Sequence, residues 1–281
     1  MSEVAPSPPP EAPPPQPALP PRPPRIPIRG TVRDAWRIFL GWPRQTILPM
    51  AAVQVPVALV TSVVTAISYL TVFKDEPVRD ISEIFEDGPS GQLFLMLVLF
   101  AVDVLFSQVA RGATIVGVGQ AARAHRLSLS EALDPAFTRM GGLLLLAIVL
   151  GAGAIVLAFT VVGIVVLPYL ALKFVLSFEA YMLEGLRPWP AMKRSWALTR
   201  GNLISLLGVL VLAALILVGP LLVVQLLGEA VGGSRTMEVI LNAVVAFVQT
   251  ILLVPLLAFL TAVTTMFYLK AREKPDALRP A

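Results

Sequence analysis

Long runs of apolar residues alternate with short polar connections along most of this chain. A helix that crosses the hydrocarbon core of a bilayer, about 30 Å thick, needs about 20 predominantly apolar residues. Six runs have or approach that length, so the pattern predicts an all-α polytopic membrane protein with six transmembrane helices. The expected spans are Ile47–Phe73, Leu93–Val116, Leu143–Phe159, Val161–Leu183, Leu203–Leu227 and Val239–Leu269. A tight turn is expected near Phe159–Gly163, because the third and fourth runs together are too long for one crossing.

The basic residues predict how the chain is oriented in the membrane. Seventeen Lys and Arg residues fall before the first run, after the last, or in the second and fourth connections. The opposite side carries only Lys74, Arg79 and Arg235. The positive-inside rule therefore places both termini in the cytoplasm. Abundant Ala, Pro and Arg are typical of a protein of the bacterial plasma (inner) membrane.

Three short amphipathic segments precede the first, third and fifth spans. They are residues 31–36, 130–137 and 190–196, which place apolar and aromatic side chains on one helical face. In the first and third segments, basic residues lie beside that face. Such helices lie in the headgroup layer. Thr31 with Asp34, and Ser128 with Glu131, have the spacing of capping boxes and predict where two of these helices begin. The pattern predicts three interfacial helices, each followed by a transmembrane hairpin.

The ends of the chain differ from the membrane domain, which is expected over residues 31–271. Residues 1–30 hold 13 of the 26 prolines and predict a disordered, Pro-rich cytoplasmic tail, because such a segment cannot bury enough apolar surface to fold. It acts as a tether or, alternatively, as a ligand for an SH3-like or WW-like partner. Residues 272–281 form a short cytoplasmic tail.

Composition narrows the possible functions. The chain is 56% hydrophobic and 14% charged, has no cysteine and has one histidine, His125. Phosphate-binding Gly-rich loops, nucleophile elbows and zinc-protease motifs are absent from the sequence. We therefore expect no enzyme activity, no cofactor and no metal site. The basic loops are explained by topology and anionic headgroups, and no nucleic-acid partner is expected.

Four charged residues interrupt the second and fourth spans. Asp103 and Lys173 lie near mid-span, and Arg111 and Glu179 lie two turns nearer the cytoplasm. Charges within a membrane face the protein interior and find partners, so we expect buried ion pairs joining Asp103 to Lys173 and Arg111 to Glu179. The pairs either fix the register of the two helices or form a coupling site for protons or ions.

Two further patterns predict helix packing. Ala113, Gly117 and Ala121 form a row of small residues that allows another helix to approach closely. The sixth span is unusually polar for a membrane helix, which indicates that it is buried in the bundle. Its polar residues are Asn242, Gln249, Thr250, Thr261, Thr264 and Thr265.

The connection before the fifth span carries a basic and aromatic group of side chains. Trp196 is expected to anchor at the interface, with Lys193, Arg194 and Arg200 facing headgroup phosphates or a docking partner. The segments Phe178–Gly185 and Arg194–Asn202, with Pro168 and Tyr169, resemble a bacterial integral-membrane family. That family includes the membrane domain found ahead of some glycerophosphodiester phosphodiesterases, and the similarity is clearest over residues 128–215.

The resemblance implies a six-helix membrane domain linked to lipid or envelope metabolism. It implies no catalysis, since that hydrolase chemistry uses two histidines and this sequence has one. The function expected from the sequence is thus a non-enzymatic membrane protein that engages phospholipid or scaffolds envelope-lipid machinery. Its partners would be membrane lipids and an envelope-lipid enzyme or another membrane protein. The alternative is a small transporter or channel that uses the buried polar pairs.

Overall fold

The computed structural model describes residues 26–71, 91–215 and 235–273. Within these ranges the protein is all-α and contains no strand, which confirms the predicted fold class. The helices, in chain order, are α1 (Ile28–Gly41), α2 (Pro43–Thr46), α3 (Leu48–Thr71), α4 (Gly91–Ala121), α5 (Leu129–Thr138), α6 (Met140–Ala158), α7 (Val161–Phe174), α8 (Ser177–Glu184), α9 (Pro188–Thr199), α10 (Leu203–Leu215) and α11 (Arg235–Arg272).

Five stretches of the described chain are long and apolar enough to cross a membrane. Two of them lie in α3 and α4, one is α6, one runs through α7 and α8, and one covers the second part of α11. A sixth membrane-spanning stretch is present only if α9 and α10 are counted together as one span, and the chain bends by 99° between these two helices. Residues 216–227 of the predicted fifth span lie outside the described residues. The spans are Leu48–Ser68, Phe94–Ala121, Met140–Ala158, Val165–Glu184 and Phe247–Arg272.

The predicted turn between the third and fourth spans is present. Helix α6 ends at Ala158 and α7 begins at Val161, and the Thr160 hydroxyl accepts a hydrogen bond from the Gly163 amide at 2.9 Å. A side chain at Gly163 would collide with the Leu157 carbonyl oxygen. Glycine at this position therefore allows the chain to reverse within two residues.

The three predicted interfacial helices are α1, α5 and α9. The Ser128 capping box is confirmed: its hydroxyl accepts from the Glu131 amide, and its own amide donates to the Glu131 carboxylate at 2.7 Å. Hydrogen bonds from the Ser128 amide and hydroxyl hold the pKa of Glu131 below its usual value. These bonds fix the start of α5.

The predicted start of the first interfacial helix is wrong. Helix α1 begins at Ile28, inside the stretch assigned to the tail, and Thr31 donates its hydroxyl to the Pro27 carbonyl oxygen. The carboxylate of Asp34 does not cap the helix; it forms an ion pair with Lys270, whose ammonium lies 2.6 Å from Oδ2 of Asp34. Buried Ile26 extends the folded region further toward the N-terminus. Residues 1–25 of the predicted tail lie outside the described residues.

The best-packed part of the bundle lies beside the interfacial helices. There α4 and α11 are enclosed by α1, α2, α3, α5 and α8, and Phe259 of α11 makes edge contacts with the rings of Trp36 and Phe39. The opposite ends of the membrane helices carry mostly exposed apolar side chains, as expected for surfaces that face lipid. Fully buried side chains in the packed part include Ile115, Leu143, Leu146, Leu176, Leu206, Phe267 and Tyr268.

Candidate functional site

A buried polar group joins α4, α8 and α11. The Arg111 Nη2 atom lies 3.7 Å from Oε1 of Glu179, as the sequence predicted. Glu179 is completely buried, and the same Oε1 accepts a hydrogen bond from the Thr264 hydroxyl at 2.6 Å. The guanidinium of Arg111 lies 4.1 Å from the centre of the Phe178 ring, which adds cation–π attraction. The arrangement ties three helices together through one carboxylate.

A break between α7 and α8 shapes the surroundings of this pair. Residues 175 and 176 interrupt the helix, and two carbonyl oxygens near the break accept hydrogen bonds from side chains of other helices. The Ser195 hydroxyl donates to the Lys173 carbonyl at 2.6 Å, and Arg111 Nη2 donates to the Val175 carbonyl at 3.4 Å. Backbone groups inside a membrane protein must be satisfied internally, so α9 and α4 stabilise the break.

A cavity of about 310 Å³ opens beside Arg111. One part of its wall carries amide and hydroxyl groups around the guanidinium, and the other part is apolar. Arg111 keeps 29% of its side chain exposed there. The lining residues are Met50, Gln54, Ser107, Gln108, Arg111, Val175, Leu210, Leu257, Leu260, Thr261 and Thr264.

Among the described residues, three buried polar atoms in this region have no hydrogen-bond partner. Oε1 of Gln108 belongs to a residue that lines the cavity, whereas Oε2 of Glu179 and the hydroxyl of Ser177 belong to residues of α8 outside its lining. Buried polar groups are normally hydrogen-bonded, to protein or to water. The donors that line the cavity are the guanidinium of Arg111 and the amide nitrogen of Gln54, since the amide nitrogen of Gln108 donates to the Ser107 hydroxyl. Together with the apolar wall they suit an amphiphilic molecule with a polar head.

A second cavity, of about 360 Å³, lies between α6 and α7 and is closed at one end by Met192 of α9. Its lining contains no charged or hydrogen-bonding side chain. It can therefore accommodate apolar groups but supplies no chemistry that would orient a polar ligand. The cavity at Arg111 is the stronger candidate for a specific site.

The predicted ion pair between Asp103 and Lys173 is wrong. Asp103 has an exposed side chain, and the ammonium of Lys173 lies over the Trp196 ring, 4.9 Å from its centre. Because the helix is interrupted at residues 175 and 176, Lys173 does not share the helical face of Glu179, which contacts Arg111 of α4. Lys173 packs against Trp196 of α9 instead.

Arg194 is held by a carboxylate of the chain itself, and its predicted contact with headgroups or a partner stays a prediction. Its Nε and Nη2 atoms donate to the Glu184 carboxylate at 3.2–3.3 Å, and Arg272 adds a second contact to Glu184 at 3.5 Å. Because a carboxylate within the chain already binds this guanidinium, Arg194 links α9 to the ends of α8 and α11. Glu184 and Arg194 both belong to the segments that carry the family resemblance, so part of that pattern is a structural ion pair.

The other three residues of that predicted patch remain at the surface. Lys193 and Arg200 are exposed, and Trp196 is 39% exposed with its ring against Phe174 and Tyr169. Their contact with headgroups or a partner stays a prediction. Among the residues that the structure describes, no group of three metal-binding side chains occurs.

Sequence reasoning missed most of the cavity. Thr261, Thr264 and Thr265 were expected to be buried in the bundle, and they are. The hydrogen bond from Thr264 to Glu179 was not predicted, and neither was the presence of Gln54 and Gln108 in the cavity wall. Gln54 is the one amide in an otherwise apolar stretch of α3, and this isolation was the available signal.

The chain was compared with protein-family models, with curated proteins and with solved structures, and none of them matches it. The resemblance over residues 128–215 therefore stays an expectation drawn from the sequence.

Proposed function

We propose that this chain is a non-enzymatic, multi-pass membrane protein that binds an anionic phospholipid between its helices. The observation that carries the proposal is the cavity beside Arg111, which combines a partly exposed cation with an apolar wall. A phosphate or carboxylate head would approach the guanidinium, where charge-assisted hydrogen bonds are strong. An acyl chain would lie along Leu210 and Leu257.

The unused hydrogen-bond donors of Arg111 support an anionic ligand. Glu179 touches only one nitrogen of Arg111, at the long distance of 3.7 Å. A guanidinium carries five N–H donors, and Nη2 of Arg111 also donates a hydrogen bond to the Val175 carbonyl at 3.4 Å. Donor capacity therefore remains for a ligand, and the amides of Gln54 and Gln108 lie in the same wall.

The depth of the site supports the same proposal. The position of a side chain at Gly112, directly after Arg111, would lie 3.4 Å from Ala136 of the interfacial helix α5. Interfacial helices mark the headgroup layer, so Arg111 lies near the boundary where phospholipid heads reside. We further propose that this boundary is the cytoplasmic one of a bacterial plasma membrane, because α1 and α9 and the loops beside α5 carry the basic residues.

Native mass spectrometry of the full-length protein, extracted in membrane discs, tests the proposal. In the double variant R111Q/E179Q both charges are removed, so no buried charge is left unpaired. We expect a defined anionic phospholipid, enriched over bulk membrane on the wild type, to fall about tenfold on this variant, as loss of one charge-assisted contact predicts.

The matched control is the double variant E184Q/R194Q, which removes an ion pair outside the cavity. It should retain the enriched lipid. Bulk lipid alone on the wild type, or equal loss from both double variants, would contradict binding at Arg111.

A second candidate function is proton- or ion-coupled transport, which is favoured by the buried Glu179 with one unpartnered carboxylate oxygen. Acidic residues in such places serve as relays in pumps and transporters. Under the lipid-binding proposal, liposomes with the reconstituted protein should show no more proton flux than empty liposomes. A flux that E179Q abolishes and E184Q keeps would replace the first proposal with the second.

A further inference from the structure

Asp103 is an exposed carboxylate on a membrane-spanning helix. It is not engaged in a hydrogen bond or ion pair with any residue of the described chain. Lys173, the cation expected to neutralise it, is 4% exposed and held against the rings of Trp196 and Tyr169. The structure therefore leaves a charge on the outer surface of the bundle.

The depth of Asp103 follows from the rise of α4. Gly112, near the headgroup layer, lies nine residues further along the same helix. At about 1.5 Å per residue, Asp103 is about 14 Å deeper, close to the middle of a hydrocarbon core about 30 Å thick. A charged side chain there costs at least about 2.5 kcal/mol on insertion scales. Such a residue is expected to meet a partner.

The surface around Asp103 continues along one face of α4. Met96 and Phe100 precede Asp103 at spacings of seven and three residues, which places all three on one side of the helix. Met96 is 48% exposed and Phe100 is 67% exposed. An apolar stripe with one carboxylate matches a neighbouring helix that is apolar and carries one cation.

A second copy of the chain does not supply that cation. Within the spans found in the described chain, the cations away from the helix ends are Arg111 and Lys173. Arg111 lines the cavity between α3, α4, α10 and α11, and Lys173 is only 4% exposed, so neither reaches the outer surface at the depth of Asp103. We propose that the Met96–Phe100–Asp103 face of α4 docks a transmembrane helix of another protein, with a Lys or Arg at mid-bilayer depth paired to Asp103. This site is separate from the cavity at Arg111.

Photo-crosslinking in intact cells tests the proposal. Benzoylphenylalanine is placed at Phe100 of the full-length protein, and at Ile148, an exposed position on α6, as the matched control. We expect a crosslink from position 100 to a membrane protein whose helix has a mid-span Lys or Arg. D103N should reduce its yield about tenfold and D103E should keep it. D103K should restore it when the partner's cation is changed to Asp.

Three results would overturn the proposal. The first is a crosslink only to lipid or only to a second copy of this chain. The second is a partner helix without a basic residue at mid-span. The third is a crosslink whose yield is the same in D103N, or that appears equally from position 148. D103N is expected to fold normally because the side chain makes no contact with its own subunit that a loss of charge would break.

Discussion

Replacing Arg111 with Gln is expected to destabilise the protein by about 3 kcal/mol. The carboxylate of Glu179 would stay completely buried and keep only the Thr264 hydroxyl as partner. Breaking a buried pair from one side costs about 3–5 kcal/mol, and the lower figure applies because Arg111 is itself 29% exposed. The measurement is the unfolding of the purified protein in a denaturant series, in one lipid or detergent.

The double variant R111Q/E179Q shows how much of the destabilisation in R111Q comes from leaving the Glu179 carboxylate without a cation. It should be about 2 kcal/mol more stable than R111Q, because no buried charge remains unpaired. An equal decrease in the free energy of unfolding in R111Q and in the double variant would show that removing Arg111 does not leave Glu179 as an unpaired buried charge. The coupling between α4 and α8 would then not be electrostatic.

Replacing Gly117 with Ala is expected to cost about 3 kcal/mol, the second large effect. The added methyl group would collide with the backbone carbonyl of Gln45 in α2. Overpacking costs about 1–3 kcal/mol, and the upper end applies because a backbone atom cannot rotate aside. Displacing α2 would also disturb Thr46, whose hydroxyl donates to carbonyl oxygens of Phe39 and Trp42.

The matched control is Gly151→Ala. Gly151 lies inside α6 with open space where its side chain would stand, and alanine is intrinsically favoured over glycine in a helix by about 1 kcal/mol. G151A should be as stable as the wild type or more so, measured by the midpoint of thermal unfolding. If G117A and G151A have the same midpoint, the close approach of α2 to α4 is not rigid.

Length and hydropathy predicted the architecture because membrane crossing depends on few physical constraints. The turn at Thr160 and the capping box at Ser128 were readable because local side-chain chemistry determines them. The row containing Gly117 was correctly taken as a packing surface, but its partner, the short helix α2, was not predicted. Four residues after Trp42 give too little periodicity for a helix to be recognised.

The sequence did not determine which charged residues form ion pairs with each other. Arg111 and Glu179 were paired correctly and Lys173 was not, while the ion pair between Arg194 and Glu184 was not predicted at all. Depth along a helix can be counted from the sequence, but rotation about its axis depends on which helices pack nearby. The break after Phe174 and the packing of α9 turned Lys173 toward Trp196. Glu184, which was not considered as a charge partner in the sequence analysis, forms the ion pair with Arg194.

The ion pair between Arg194 and Glu184 makes Arg194 a poor position for testing headgroup binding. Charge reversal at Arg194 would break the ion pair with Glu184 and alter helix packing, whether or not a lipid binds there. Lys193 and Arg200 remain free to contact headgroups at the surface, where most membrane proteins carry basic residues. A specific ligand is better sought at Arg111, where charge, amides and an apolar wall line one cavity.

The most direct test of that claim is to map where a phospholipid head contacts the protein. An anionic phospholipid with a photoreactive group beside its phosphate is incorporated with the full-length protein, and labelled peptides are identified by mass spectrometry. We predict labels concentrated on residues 107–111 of α4 and 257–264 of α11, and their loss in R111Q/E179Q. Labels spread evenly over the exposed faces of α6 and α7, unchanged in that variant, would contradict a phospholipid site at Arg111.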